Sequence, residues 1–451
     1  MIAIARSTIA SFLHGLDARA QTQRDAMAAF GVRVASAAVL YLSQIAIARW
    51  IGGHDYGIYV FVTTWVLVLG GLTHMGLNLA VMRLLPQYRE RGDFAHYLGL
   101  IRGSRVFALS AGTVVAAIGM AGLTLIPNLL AEPYLMPAYL ALVCVPMMTL
   151  SEVHDGIGRG QSWMLDGLLP HYVLRPALVL TGLLVARLAG LPMTAETAVG
   201  AAIVATWAAA TIQTMLINRR IAQSVPTSAR CYDFRTWIAV ALPLLVVAAA
   251  ELALQNTDIL VISHVMTPQD VAIYFAAAKT MSLIMFVHYA VGSAVANRFS
   301  TLQTRGDHEA LSLFVRDAVN WTFWPSLLGA ALILLLGKPL LSLFGADFTT
   351  GYTVMWILVL GFLARSSFGP AEVLLSMLGE HRACAGVLIV TALLNLVLNL
   401  MLVPRFGLEG AATATALALA AGAMLNAAVA KRRLRLHIAI WRNLPAAARN
   451  R

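Results

Sequence analysis

Several charged side chains lie inside long apolar stretches of this chain, where they could bind ions or charged substrates. Glu251, Gln255 and Asp258 follow one another at four and three positions, on one face of a helix, and Lys279 lies in the next apolar run. A charge within a membrane span is costly, so it usually faces protein or a water-filled cavity and often marks a pathway. We therefore expect these groups to line a cavity and to bind a charged species.

Other charges fall at several depths when each residue is given a rise of 1.5 Å. Cations at successive depths could pass an anionic headgroup across the membrane, and arginine suits a phosphate because its planar fork binds two oxygens. The cations predicted to bind substrate are Arg33, Arg49, Lys279 and Arg365. The acids predicted to pair with these cations, or to bind a coupling cation, are Glu251, Asp258, Glu152 and Glu372.

Structural roles are the alternative for several of these residues. Arg49 ends an apolar run, where a long side chain can extend to the membrane surface. Arg365 could be bridged to an acid of its own helical bundle. For the Ser, Thr, Asn and His side chains within the apolar runs, a hydrogen-bond network between helices is favoured over a binding role.

Composition defines the class of protein. The chain has 451 residues, of which 59% are hydrophobic and 12% charged, with a mean hydropathy of +0.77. Soluble proteins carry about 25% charged residues, so the sequence predicts a polytopic membrane protein. Cys144, Cys231 and Cys384 share no motif spacing, so we predict neither a disulfide nor a metal site. No GxxxxGK[ST] motif is present, and no cofactor is predicted.

Hydrophobic runs of about 20 residues predict an all-α fold with twelve transmembrane helices. In the first half the predicted spans are 27–50, 58–82, 106–127, 134–153, 171–190 and 195–217. In the second half they are 236–265, 271–297, 319–343, 352–377, 383–404 and 408–430.

Arginine is concentrated in alternate loops, which predicts how the chain is oriented. The arginine-rich segments are 83–105, 218–235, 298–318 and the tail 431–451, whereas 51–57, 127–134 and 266–271 contain no Lys or Arg. By the positive-inside rule, both termini are predicted to be cytoplasmic. This distribution explains the net charge of +11 without a nucleic-acid partner. The segments 83–105 and 298–318 also contain spaced apolar residues, which predicts helices lying on the inner membrane surface.

The two halves share polar residues at a nearly constant offset. Asp55, Ile58 and Tyr59 recur 215 positions later, and the tripeptide Arg-Gly-Asp at 91–93 recurs 214 positions later at 305–307. These matches predict an internal duplication that gives two six-helix bundles around a central cavity. The predicted units are an amphipathic segment at 1–26, bundles at 27–225 and 226–430, and a basic tail at 431–451.

Two segments resemble signatures of a known family. WIGGHDYGIYVF at 50–61 and NLVLNLMLVPRFGLEGAATATALA at 395–418 are similar to segments of Wzx-type oligosaccharide flippases, within the multidrug/oligosaccharidyl-lipid/polysaccharide exporter superfamily. The resemblance implies two six-helix bundles that move undecaprenyl-pyrophosphate-linked sugar repeat units to the periplasmic leaflet by alternating access. It also implies a bacterial inner-membrane location. Membrane lipids, a polysaccharide polymerase and export machinery are the expected partners.

Two other functions remain open at this stage. A cation-coupled exporter of small amphiphiles would favour acidic cavity residues, and Arg33, Lys279 and Arg365 argue against it. A membrane glycosyltransferase or polysaccharide polymerase would need a long outer catalytic loop, whereas each predicted outer loop is short. We therefore predict a transporter for surface polysaccharide biosynthesis and not an enzyme.

Overall fold

The computed structural model describes residues 37–442, and these form helices joined by short turns. In the first half the helices are α1 (Ala37–Ile51), α2 (Gly53–Thr73), α3 (Leu77–Glu90), α4 (Phe94–Leu125), α5 (Glu132–Leu142), α6 (Val145–Gly160), α7 (Met164–Leu169), α8 (Arg175–Leu188) and α9 (Ala195–Ser224). A π-helical turn, Pro170–Leu174, joins α7 to α8.

The second half has a similar series of long helices. They are α10 (Phe234–Val265), α11 (Pro268–Ser282), α12 (Met285–Arg305), α13 (His308–Leu335), α14 (Gly337–Ser342), α15 (Tyr352–Ser366), α16 (Ala371–Met377) and α17 (His381–Leu434). Two 3₁₀ turns, Ala346–Gly351 and Ile440–Arg442, complete the described chain.

Nine or ten of the described helical runs are candidate membrane spans. Within residues 37–442, nine helical runs are long and apolar enough to cross a membrane, and the pair α5–α6, bent by 53°, is a tenth. The 54-residue α17 is two helices, because Gly407 between them has a non-helical φ of 57° and ψ of −133°. The apolar helix α1 is shorter than these candidate spans, and a total of twelve spans stays a prediction. The predicted all-α membrane fold is therefore confirmed.

The helices differ from the predicted ones mainly at their ends. In 83–105 and 298–318, the residues from 94 and from 308 onward begin the spanning helices α4 and α13, so no separate surface helix forms there. Residues 83–90 end the short helix α3, which is separate from α2. The helix α4, for example, runs without a break from Phe94 to Leu125, which is about 48 Å at 1.5 Å per residue and exceeds the hydrocarbon core of about 30 Å. The ninth span ends at Leu335 and not at 343, because the separate short helix α14 follows.

The Arg-Gly-Asp tripeptides form the same turn in both halves. Gly92 and Gly306 have φ of +69°, a left-handed conformation that glycine adopts without strain. Asp93 then accepts a hydrogen bond from the backbone N–H of His96 at 3.1 Å, and Asp307 accepts one from Ala310 at 2.9 Å. Each aspartate thereby caps the N-terminus of the helix that follows. Superposition of whole bundles 27–225 and 226–430 stays a prediction.

The chain has two lobes, formed by α1–α9 and α10–α17, that meet along α2, α10 and α11. At the membrane side opposite the arginine-rich loops, Gly57 of α2 packs directly against the carbonyl of Pro268, at the start of α11. Nearer the arginine-rich side, the indole N–H of Trp237 in α10 donates to the hydroxyl of Tyr88 in α3 at 3.2 Å. Contact between the lobes therefore extends toward both membrane surfaces.

Candidate functional site

Arg49 joins the two lobes at the membrane side opposite the arginine-rich loops. Its Nε donates to the carbonyl oxygen of Leu343 and its Nη2 to that of Ser342, each at 2.6 Å. These carbonyls lie at the end of α14, where a helix presents unpaired acceptors and partial negative charge. Arg49 therefore holds a helix end of the second lobe, a role beyond that of a side chain extending to the membrane surface.

An aromatic cluster lies next to this contact. The ring of Tyr56, in the first lobe, has its centroid 6.2 Å from that of Phe275, 6.4 Å from Phe344 and 6.2 Å from Phe348, all in the second lobe. The hydroxyl of Tyr41 also lies 2.9 Å from that of Thr280. These contacts close the space between the lobes at this side.

Lys279 is exposed and lies beside this closure. Its Nζ is 5.1 Å from the centroid of the Phe275 ring, a cation–π contact. Within residues 37–442, no carboxylate lies within 4.0 Å of its ammonium group. Because the adjacent Thr280 contacts Tyr41 of the first lobe, Lys279 is at the border of the two lobes. An ammonium group without a carboxylate partner can bind an anionic ligand.

Glu251 and Asp258 share a helix but not an environment. Asp258 is buried and accepts hydrogen bonds from the hydroxyl of Tyr274 at 2.8 Å and from the N–H of Ile259 at 2.9 Å. Glu251 is exposed and accepts one from Nε2 of Gln255 at 3.3 Å. Asp258 is thus held inside the second lobe, where it also acts electrostatically on Lys279, whereas Glu251 is exposed.

Arg365 forms an ion pair within its own lobe. Its Nη2 lies 3.0 Å from Oε1 and 2.8 Å from Oε2 of Glu372, across the break between α15 and α16. Glu372 is one of the four acids that the sequence analysis predicted to pair with the substrate-binding cations. Seven positions separate Arg365 from Glu372, and the chain turns back between them. The geometry corresponds to the structural alternative, whereas a substrate-binding role for Arg365 stays a prediction.

Arg33 and Glu152 are the remaining predicted site residues. Arg33 lies outside the described residues. Glu152 lies in the first lobe, where one of its carboxylate oxygens is within 4.8 Å of ligand atoms of Asp155 and His171. The sequence analysis did not identify Asp155 or His171. Their signal is weak, because His171 belongs to a π-helical turn that the helical repeat does not predict.

The fold is that of a known class of membrane transporters. It matches an inward-facing multidrug-resistance MATE transporter with a TM-score of 0.71 at 14% identity, over 88% of this chain and 94% of that one. It matches the lipid II flippase MurJ, in an inward closed conformation, with a TM-score of 0.69 at 13% identity, over 89% of this chain and 87% of that one. For an outward-facing MATE transporter the TM-score is 0.63 at 15% identity, over 90% and 95% of the two chains.

Sequence comparison assigns the family. Residues 24–303 match the model of the family described as polysaccharide biosynthesis protein, and 243–401 match the MatE family model. Since the first match covers more than half of the chain, the protein belongs to the polysaccharide biosynthesis protein family. The predicted family resemblance is therefore confirmed.

Two curated relatives match part of the chain. The probable low-salt glycan biosynthesis flippase Agl15 of Haloferax volcanii is 25% identical over 174 residues, which are 38% of this chain and 36% of that protein. The FAD transporter of Shewanella oneidensis is 28% identical over 192 residues, or 40% and 42% of the two chains. The chain thus spans well under half the length of each. Both are named as carriers and not as enzymes.

Proposed function

We propose that this protein is a flippase that moves an undecaprenyl-pyrophosphate-linked oligosaccharide from the cytoplasmic to the periplasmic leaflet of a bacterial inner membrane. The observation that supports this most directly is the match of residues 24–303 to the polysaccharide biosynthesis family. The similarity of the fold to the lipid II flippase MurJ supports it further. The exported sugar would serve surface polysaccharide biosynthesis.

Lys279 is the residue that we assign to the pyrophosphate. It is exposed at the border of the lobes, and within residues 37–442 no carboxylate lies within 4.0 Å of its ammonium group. A charge-assisted hydrogen bond to a phosphate contributes about 1.5–3 kcal/mol. The prenyl tail stays in lipid, so only the headgroup needs a polar path between the lobes. Arg33 and Arg365 are further candidates for contact with the headgroup, and Glu251 is a candidate for pairing with these cations.

The state described here is closed at the predicted periplasmic side, and Trp237 and Tyr88 also join the lobes nearer the arginine-rich side. Arg49 and the aromatic cluster join the lobes at the side with few basic residues, which the positive-inside rule assigns to the periplasm. Rocking of the two lobes that opens the predicted periplasmic side would release the headgroup there.

The function can be tested in a strain that lacks this protein. We expect lipid-linked oligosaccharide to accumulate in the inner leaflet, and wild-type protein to restore surface polysaccharide. Lys279→Ala at wild-type abundance should lower export about tenfold or more, because a charged hydrogen bond to the substrate is lost. Lys338→Ala is the matched control, since Lys338 also lies over an aromatic ring, 5.4 Å from that of Tyr352. Normal export by Lys279→Ala would contradict the role of Lys279, and normal export by the deletion strain would contradict the function.

Export of small amphiphiles is the second candidate. The MatE match over 243–401 and the FAD transporter among the relatives favour it. The test is efflux: a strain lacking the protein would become sensitive to cationic dyes, or would retain flavin, while its surface polysaccharide stayed normal. The lysine at the lobe border favours an anionic substrate.

A further inference from the structure

A compact group of carboxylate and imidazole side chains lies inside the first lobe. We propose that Glu152, Asp155 and His171 form a binding site for a divalent transition-metal ion. One ligand atom from each of these residues lies within 4.8 Å of the others. Asp155 is fully buried and His171 is 8% exposed, so their polar atoms have little access to water.

Two atoms of this site lack well-formed hydrogen bonds. Oδ2 of Asp155 and Nδ1 of His171 are buried without a hydrogen bond of good geometry among the described residues, although the Tyr172 hydroxyl lies near the Asp155 carboxylate. Buried polar atoms are nearly always satisfied, so each unpaired one needs an explanation. A bound metal ion would supply both with a ligand bond. An imidazole nitrogen with two carboxylates is a donor set typical of Zn²⁺ and its transition-metal neighbours, whereas Mg²⁺ and Ca²⁺ take oxygen ligands.

Gln213, on α9, holds the Asp155 carboxylate from the opposite direction. Its Nε2 donates to Oδ1 of Asp155 at 2.8 Å and to the carbonyl oxygen of Gly167 at 2.6 Å. The side chain of Gln213 is itself fully buried. A ligand carboxylate oriented in this way keeps its second oxygen free, as outer-shell partners do at known metal sites.

The backbone around His171 is also unusual. His171 lies in the π-helical turn Pro170–Leu174, a conformation that is rare and frequent at functional sites. Just before it, α6 and α7 approach so closely that a Cβ atom at Gly158 would lie 2.6 Å from the Cα of Gly167. This close packing brings the π-helical turn next to α6, so the ion would bridge the fourth and fifth spans.

The nearby arginines, Arg159 and Arg175, act electrostatically on the acids of this site but form no ion pair with them. Within the described part of the chain, no guanidinium lies within 4.0 Å of the carboxylates of Glu152 or Asp155. Arg175 is directed elsewhere, since its Nε donates to Oγ1 of Thr206 at 3.1 Å and its Nη1 contacts Sδ of Met148 at 3.6 Å. Two adjacent carboxylates repel each other in a medium of low dielectric constant, and a dication offsets this repulsion.

Metal binding can be measured on the purified full-length protein after chelator treatment, without any lipid-linked sugar. Its outcome is therefore independent of the proposed transport. We expect one Co²⁺ or Zn²⁺ per chain, visible ligand-field absorption with Co²⁺, and a rise of about 2 °C or more in melting temperature at saturating metal. Asp155→Asn and His171→Gln should abolish these changes, and Gln213→Leu should weaken affinity about 10–100-fold. Glu309→Gln, an exposed acid on α13, is the control and should bind as wild type.

A variant that replaces one metal-ligating residue by another distinguishes loss of a ligand from misfolding. His171→Cys retains a metal ligand, and with Co²⁺ it should give a thiolate-to-cobalt charge-transfer absorption that wild-type protein lacks. Failure of the wild-type protein to bind Co²⁺ or Zn²⁺ would overturn the proposal. Equal affinity in wild-type and Asp155→Asn protein would also overturn it, as would the absence of charge transfer in His171→Cys.

Discussion

Arg365, a predicted substrate-binding residue, forms an ion pair with Glu372. The pair could hold the lobe together, or Arg365 could also bind the substrate. The side chains are 20% and 46% exposed, and the pair ties α15 to α16. Nε of Arg365 is buried without a hydrogen-bond partner among the described residues, so a further group could still bind it. A structural pair and a substrate contact at Arg365 therefore predict different mutant behaviour.

Replacing Arg365 tests this difference. We expect Arg365→Ala to lower the amount of protein in the membrane, because the Glu372 carboxylate loses its partner. The reversed pair Arg365→Glu with Glu372→Arg should restore the amount if the role is structural. Immunoblotting of membranes gives the abundance, and Arg382→Ala, at an exposed arginine of α17, is the control. Wild-type abundance of Arg365→Ala together with lost export would instead favour direct contact with the headgroup.

At the scale of the helices, both aspartate caps should stabilise the protein, and Asp93 has the additional contact of its carboxylate with Nδ1 of His96 at 2.7 Å. Asp93→Ala and Asp307→Ala should each destabilise the protein by about 1 kcal/mol, the usual cost of losing an N-cap. Thermal unfolding in detergent would measure this loss of stability. Asp317→Ala is the control, because Asp317 lies inside α13 and does not cap a helix. A much smaller effect at one of the two positions would argue that the repeated turns are not equivalent.

The cap at Asp93 should also respond to pH. The hydrogen bond from the backbone N–H of His96 holds the pKa of Asp93 below its usual range, and the His96 side chain acts in the same direction. Because the folded-state pKa is the lower one, this stabilisation is complete above the unfolded-state pKa of about 3.9 and is lost as the pH falls through the folded-state value. The stability difference between wild type and Asp93→Asn should therefore shrink below about pH 4. An unchanged difference at pH 3 would contradict it.

At the scale of the whole molecule, the contact of α2 with α11 should control which side is closed. Gly57→Ala would place a Cβ atom against the carbonyl of Pro268, a backbone group that cannot rotate away. We expect this variant to separate the lobes at that side. Spin labels in segments 189–194 and 343–345 should report a longer distance by pulsed electron paramagnetic resonance. Gly329→Ala is the control, because nothing lies within 4 Å of a Cβ atom there. An unchanged distance would contradict this account of the closure.

The sequence by itself determined the class, the spans and the repeated turns of this protein. Runs of about 20 apolar residues specify membrane helices through length and hydropathy alone. The turns at 91–93 and 305–307 are local as well, since a glycine with positive φ and a capping aspartate act within four residues. The family signatures at 50–61 and 395–418 were sufficient to identify the family without any coordinates.

Only the tertiary structure decided which charged groups are paired. Arg49 binds carbonyls more than 290 positions away, and Gln213 holds a carboxylate 58 positions before it. Helical spacing predicted a shared face for Glu251 and Asp258, but the packing of Tyr274 made one a buried acceptor and left the other exposed. Such pairings depend on how each helix is rotated and where it breaks, as in the π-helical turn at His171. Those features are set by contacts between helices distant in sequence, which residue spacing along one helix does not encode.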